Sequence, residues 1–327
     1  MGFRLAVVVL NYRTPQLTLE CLESLEGELD AERDIVVAVE NGSQDGSVGA
    51  ISEGIQRSGW GRWTRVLPSE TNLGFPGGCN LGIKAVEADA YLLLNNDTLV
   101  RPGAIASLLK ALEEHPEAGI IGARLEHLDG TPQVSCFRYQ SPLSECIQSA
   151  ATGPVTRLLR RFNVPIPVSD VPMEPDWVCF AAALIRREVI EQVGLLEEGY
   201  FLYFDDVDYC RRARRAGWRV LHWPEARVVH LVGGSNPLES SKAARRRKPR
   251  YYYESRARYF AKFYGRAGLW AANLLWMAGR AVSLSRELVG REQPHTCPRE
   301  WLDNWTNWLD PFRPPTRWNG SGNGKSI

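Results

Sequence analysis

The sequence of 327 residues has no apolar run as long as the roughly twenty residues that a bilayer-spanning helix requires, so a membrane span is not expected. Its seven cysteines (Cys21, Cys79, Cys136, Cys146, Cys179, Cys210 and Cys297) contain no CxxC pair and leave one over from any full pairing. Most lie among apolar neighbours, which excludes a disulfide framework, argues against structural zinc and fits reduced thiols. A net charge of +1 gives no overall attraction to nucleic acid. No internal repeat is visible, and no GxGxxG follows a strand as a dinucleotide fingerprint requires. The N-terminus offers only Leu5 to Leu10 after Arg4, too short for a signal peptide and of the right length for a first strand.

With 44% hydrophobic and 24% charged residues the composition is that of a globular protein. Strands and helices alternate in the first part: LAVVVL (5–10), a helix from Pro15, IVVAVE (35–40), a helix over 48–55, TRVLP (64–68), a helix over 77–86, YLLLN (91–95), a helix from Pro102 and GIIGA (119–123). Such alternation predicts an α/β fold, a mostly parallel sheet covered on both faces. Ligands of these sheets lie beyond the carboxyl ends of the strands. Polar clusters fall there repeatedly, with Asn11 after the first strand, Glu40, Asn41 and Ser43 after the second, and Asn95, Asn96 and Asp97 after the fourth. Residues 131–175, rich in Pro, Ser and Arg, read as a long irregular excursion, and WVCFAAALI (177–185) as the return of regular structure.

Each motif carries two readings. ENGSQDGS (40–47) is either a turn or a pocket wall. NLGFPGGCNLG (72–82) would direct backbone N–H groups at phosphate if a helix starts there. In NNDT, Asp97 can hold a divalent cation or cap a helix. FDDVDYC (204–210) places Asp205, Asp206 and Asp208 at a helix start, where they complement the dipole or supply a base. His230 is either a packed residue or a ligand for metal or phosphate.

In this order and spacing VVVLNY, ENGSQDGS, NLGFPGGCNLGI, LLLNNDT, FLYFDDVDYCRRARRAGW and PEARVVH resemble a family 2 inverting glycosyltransferase of the bacterial rhamnosyltransferase type, over roughly residues 4–264. The resemblance implies a GT-A (Rossmann-like) catalytic domain over 1–235, and composition makes 236–312 a basic and aromatic helical appendage and 313–327 a disordered tail. It implies a dTDP-, UDP- or GDP-linked sugar donor, a glycan or lipid-linked acceptor, Mg2+ or Mn2+, and a place in the cytoplasm at the inner face of the cell membrane. Asn11, Glu40, Asn41, Ser43, Asn72, Gly74, Phe75, Gly78, Asn80, Asn95 and Asn96 match donor-site positions, Asp97 and His230 the metal-site positions, and Asp206, assisted by Asp205, the base. Glu40 and Asp205 each exchange one acid for the other relative to the family pattern, and Phe180 stands where Gly is common.

A nucleotidyltransferase and a non-catalytic sugar-nucleotide or glycan-binding module remain as alternatives. The first lacks a basic glycine-rich loop after strand one, and the second does not need Asp206. The stretch 242–291, rich in Arg, Lys, Tyr and Trp, either lies in a membrane interface or packs on the domain. Trp301, Trp305 and Trp308 read as a packing face, with a homo-oligomer contact as the other reading.

Overall fold

The computed structural model describes residues 3–231, 247–290 and 295–317. Five strands and four helices alternate from the N-terminus: β1 (Phe3–Asn11), α1 (Pro15–Leu25), β2 (Asp34–Glu40), α2 (Ser47–Ser58), β3 (Thr64–Pro68), α3 (Gly74–Lys84), β4 (Ala88–Asn95), β5 (Thr98–Val100) and α4 (Ala104–Glu114). After β6 (Ala118–Glu126) come β7 (Cys136–Phe137), α5 (Pro142–Ala150), α6 (Gly153–Leu158), β8 (Trp177–Val178), β9 (Ala182–Arg186) and α7 (Arg187–Val193). The chain continues through α8 (Asp205–Arg215), β10 (Arg219–His230), α9 (Arg250–Leu288) and α10 (Glu300–Asp303).

Eight strands form one sheet in the order β3-β2-β1-β4-β9-β6-β10-β5. The β3, β2, β1 and β4 ladders and the β6–β10 ladder are parallel, whereas β9 and β5 run antiparallel to their neighbours. Uninterrupted apolar runs make both faces of β1 and β2 buried. Alternate residues divide between two cores: Ala6, Val8, Val37 and Val39 face one, and Leu5, Val7, Val36 and Ala38 the other.

Helix α3 starts three residues before the expected position, because its glycines serve close packing. A Cβ on Gly78 would lie 2.3 Å from Leu10 Cδ1, and one on Gly82 2.5 Å from Val8 Cγ1. The segment expected as one element over 177–185 splits in two. Cys179 N–H donates to Ser135 O, and Ala181 O accepts from Asn95 N–H, so the backbone changes partners between β8 and β9. The excursion over 131–175 is also more regular than expected. Helix α5 begins at Pro142 behind a capping box in which Ser141 and Ser144 bond reciprocally.

The basic C-terminal stretch is largely turned inward. Arg256 is buried and bonds Glu145 of α5 (2.7 Å), while Lys248 pairs with Glu300 and Arg247 with Asp303. Among the described residues, part of the charge excess apparent along the sequence is thus met by acids from distant segments. Tyr251, Tyr253, Tyr259 and Phe260 are buried as well. Gly265, at φ 71°, divides α9 into two segments. The first residues of the expected tail are held against α9: Arg258 donates to Phe312 O (2.8 Å), and Thr316 N–H donates to Glu254 (2.9 Å). Residues 318–327 lie outside the described ones.

Candidate active site

The carboxyl ends of β1, β2 and β4 bring the first polar cluster together. Asn11, wholly buried, accepts from Thr18 Oγ1 (3.0 Å) and lies with its amide 3.4 Å from Glu40 Oε1. Glu40 also accepts from Ser43 N–H at 3.0 Å, and Ser43 Oγ accepts from Arg13 N–H at 2.8 Å. Asn41 reaches across to the third crossover, donating to Asn72 Oδ1 and Gly74 O (both 3.1 Å) and accepting from Leu73 N–H. These bonds hold ENGSQDGS and the start of NLGFPGG as one wall. In front of it is a cavity of about 180 Å³ lined by Arg13, Gly42, Ser43, Gln44, Thr71, Asn72 and Arg317. Gln44 lies within ENGSQDGS without having been singled out, whereas Arg13, Thr71 and Arg317 belong to no motif and Arg317 arrives only through the folded-back chain after α10.

Not every expected donor residue faces that cavity. Gly78 is packed beneath Leu10 and Asn41. Asn80 is buried and bonds Leu196 O and Glu198 (both 2.9 Å), tying α3 to the loop ahead of α8. Gly74, at φ +73°, lies so close to Phe201 that a Cβ would be 2.2 Å from its carbonyl oxygen, and Phe75 N–H donates to that same oxygen. Gly74, Phe75 and Asn80 therefore position the loop ahead of α8. Asn95 is half-buried, with its main chain bonded to Ala181 and Thr98. Asn96 donates to Thr14 Oγ1 (2.7 Å) and Thr18 Oγ1 (3.0 Å), fastening the β4–β5 turn to the β1–α1 turn.

Asp97 occupies that β4–β5 turn, 1% exposed. The register of β10 against β5 sets His230 opposite Thr98, and His230 Nε2 lies 3.6 Å from Asp97 Oδ1. Among the described residues no three His, Cys, Asp or Glu side chains form a complete metal cage. One carboxylate and one imidazole fit a cation of the Mg2+ or Mn2+ kind that takes its other ligands from diphosphate oxygens and water.

Helix α8 brings the acids. Tyr203 and Phe204 precede it with φ of 68° and 66°, a left-handed pair rare for bulky side chains, and nothing in their residue type announces it. Asp208 points away from the site into a full set of partners: Arg212 (2.7 Å), Lys262 (2.6 Å) and the Tyr200 hydroxyl (3.2 Å). Asp205 is buried, and its carboxyl is held well above the ordinary range by desolvation and by the charges of Asp206 and Asp208. Asp206, half-buried, is raised to about 7 by desolvation, although Val207 N–H donates to its Oδ1 at 2.8 Å. Asp97, Asp205 and Asp206 converge on Cys179, at the break between β8 and β9, whose thiol is pushed up to about 12 by burial and then by these three charges. A carboxyl raised toward neutrality and the Asp97–His230 pair thus lie in one electrostatic neighbourhood around Cys179.

The family described as "Glycosyltransferase like family 2" matches residues 3–254. The chain is 29% identical over 317 residues, 91% of its own length and 96% of the relative's, to the N-acetylglucosaminyl-diphospho-decaprenol L-rhamnosyltransferase of Mycobacterium tuberculosis. In fold it is similar to the mannosyltransferase PcManGT of Pyrobaculum calidifontis in complex with GDP-Man and Mn2+, with a TM-score of 0.55 at 17% identity, covering 95% of this chain and 86% of that one. It is likewise similar to GalNAc-T7 with UDP, GalNAc and Mn2+, with a TM-score of 0.57 at 14% identity, covering 97% of this chain and 59% of that one. The fold is the GT-A arrangement expected from the sequence, and the chain belongs to glycosyltransferase family 2.

Proposed function

We propose that this enzyme transfers a sugar, with inversion, from a nucleotide-diphosphate donor to a hydroxyl of a glycan or lipid-linked acceptor. The observation that carries the reading is that Asp206, raised to about 7, and Asp97, 3.6 Å from His230, both act on the Cys179 thiol at the break between β8 and β9. The name of the mycobacterial relative supports rhamnose as the sugar and a diphospho-polyprenol-linked N-acetylglucosamine as the acceptor class.

Arg13, Ser43 and Asn72 line the cavity that would take the nucleoside of the donor. Asp97 and His230 would hold the cation, which supplies neutralisation of charge building on the leaving diphosphate. Asp206 removes the proton of the acceptor hydroxyl as that oxygen attacks the anomeric carbon from the face opposite the diphosphate. One base is sufficient, since the leaving group departs without a proton. Desolvation keeps the proton affinity of Asp206 high, Asp206 in turn raises that of Asp205 beside it, and Asp208 holds α8 in place through Arg212 and Lys262.

The test is to measure thermal stabilisation by dTDP-, UDP- and GDP-sugars with and without Mn2+, then transfer to a polyprenyl-diphosphate-linked N-acetylglucosamine. A product of inverted anomeric configuration and loss of transfer in EDTA are expected. A retained configuration would refute the role of Asp206 as sole base, and full activity in EDTA would remove the cation from the scheme.

A further inference from the structure

The second segment of α9 carries a feature that donor and acceptor chemistry leave unused. Its inner side is fixed against α5: Leu269, Ala272, Asn273, Trp276, Gly279 and Ser283 are buried. A Cβ on Gly279 would lie 2.2 Å from Ser149 Oγ, so the two helices touch at backbone distance and the rotation of α9 is set. The opposite side then carries Trp270, packed edge-on against Trp305 and Trp308, and presents Leu274, Met277, Ala281, Leu284 and Leu288 to solvent, at steps of four and three residues. Leu274 is 54% and Leu288 80% exposed. At about 1.5 Å per residue this stripe is about 27 Å long, far more apolar surface than scattered exposed leucines would give.

The charges bordering the stripe are mainly basic, with Asp310 exposed on the segment that carries Trp305 and Trp308. Within this segment the single acid, Glu287, is paired with Arg280, and Arg266 is exposed. Arg286 donates to Ala151 O (3.2 Å), which brings the last turns of α9 beside the start of α6 at Gly153. From there the chain exposes Arg157, Arg160 and Arg161 together with Leu158, 82% exposed, and contains no acid between 153 and 162. Among the described residues no helix is long and apolar enough to cross a membrane. An apolar stripe bordered by arginines fits an interface in which side chains enter the acyl region and guanidinium groups meet anionic headgroups.

We propose that this face, the outer side of α9 after Gly265 with the neighbouring α6, docks the enzyme on an anionic lipid bilayer. The same helix leads back to the site. Its first turns place Tyr251 and Tyr252 against Tyr203, with ring centroids 6.2 and 5.7 Å apart, directly ahead of Asp205. Docking would therefore set the acceptor side of the pocket at a fixed height above the lipid surface. Of the basic stretch read in the sequence, Arg247, Lys248 and Arg256 are consumed in ion pairs, while Arg266 and Arg286 remain at this face and α6 adds Arg157, Arg160 and Arg161.

The experiment is co-sedimentation of the full chain with phosphatidylcholine vesicles, with and without phosphatidylglycerol, at low and high salt. Binding to the anionic vesicles with release by salt is expected, and the double variant L274E/M277E should bind at least about tenfold more weakly. Replacing Arg157, Arg160 and Arg161 by Ala should remove the preference for anionic lipid. Both variants alter solvent-facing positions, so an unchanged thermal midpoint and unchanged stabilisation by nucleotide sugar serve as the folding control. Loss of vesicle binding with intact donor binding leaves the catalytic reading untouched, and the reverse result leaves this one untouched. Absence of wild-type binding, or equal binding by L274E/M277E, would overturn the proposal. So would a dimer that this variant dissociates without change in vesicle binding, which would assign the face to a second copy of the chain.

Discussion

Replacing Asp206 by Asn should weaken catalysis and strengthen the fold, and both effects follow from one number. Burial raises this carboxyl from its ordinary value near 3.8 to about 7. Between those values the folded protein binds a proton that the unfolded chain releases. The pair's contribution is therefore favourable at low pH and is lost as pH rises toward 7. At about 1.4 kcal/mol per pH unit, the ionised side chain would cost about 4 kcal/mol above pH 7 as an upper bound. Water reaches this half-buried group, so about 1 to 2 kcal/mol is the expected effect. Asn does not titrate and keeps the acceptor for Val207 N–H, and it also relieves Asp205 of a neighbouring charge. Urea unfolding without cation or donor should show Asp206→Asn more stable than wild type by that amount at pH 8, with the gap closing toward pH 4. The same substitution should lower kcat by about 10² to 10⁴ with little change in donor affinity. In wild type, kcat/KM should rise with pH through an apparent pKa at or below about 7, because a bound cation favours the ionised form. A pH-independent stability difference would show that Asp206 is not raised. Near-normal turnover would place the base elsewhere, with Asp205→Asn as the next variant to assay.

Three further outcomes are expected. Asp97→Ala should abolish Mn2+-dependent stabilisation by nucleotide sugar while leaving the fold intact, and calorimetric titration of UDP with and without Mn2+ would check it. Asp208→Asn should destabilise by about 3 kcal/mol, since it leaves Arg212 and Lys262 facing an amide; unchanged urea stability would refute this placement. Gly82→Ala should lower the thermal midpoint strongly, because its methyl group would meet Val8 and Val39, and an unchanged midpoint would contradict the packing of α3 on β1 and β2.

The strands were legible because parallel-sheet interiors demand unbroken apolar runs, and LAVVVL and IVVAVE contain nothing else. The acids were legible because Asp97 and Asp206 interrupt or follow such runs at the ligand-binding edge. The glycines of α3 were harder to read. A glycine that admits a phosphate and one that admits Leu10 or Val8 have the same letter, and only the close approach of α3 to the sheet separates them. Asn80 failed for a similar reason, its amide being spent on the loop at Leu196 and Glu198. The break at Cys179 was hidden because an apolar run shows burial and not a change of pairing partner. The basic C-terminal stretch left packing and membrane contact both open because the partners of its charges, Glu145 among them, lie far off in sequence.

The cavity beside Ser43 is walled by residues from opposite ends of the described chain, Arg13 just past the first strand and Arg317 beyond α10. During synthesis the sheet edge can form while that far wall is still untranslated, so the cavity proposed for the donor is among the last features to be completed. A chain cut after α10 would keep Asp97, Asp206 and the whole sheet, yet would open the nucleoside end of its site to solvent. Any fusion or cleavage near residue 317 therefore acts on substrate retention, although the sequence places it as far from the first binding loop as the described chain allows.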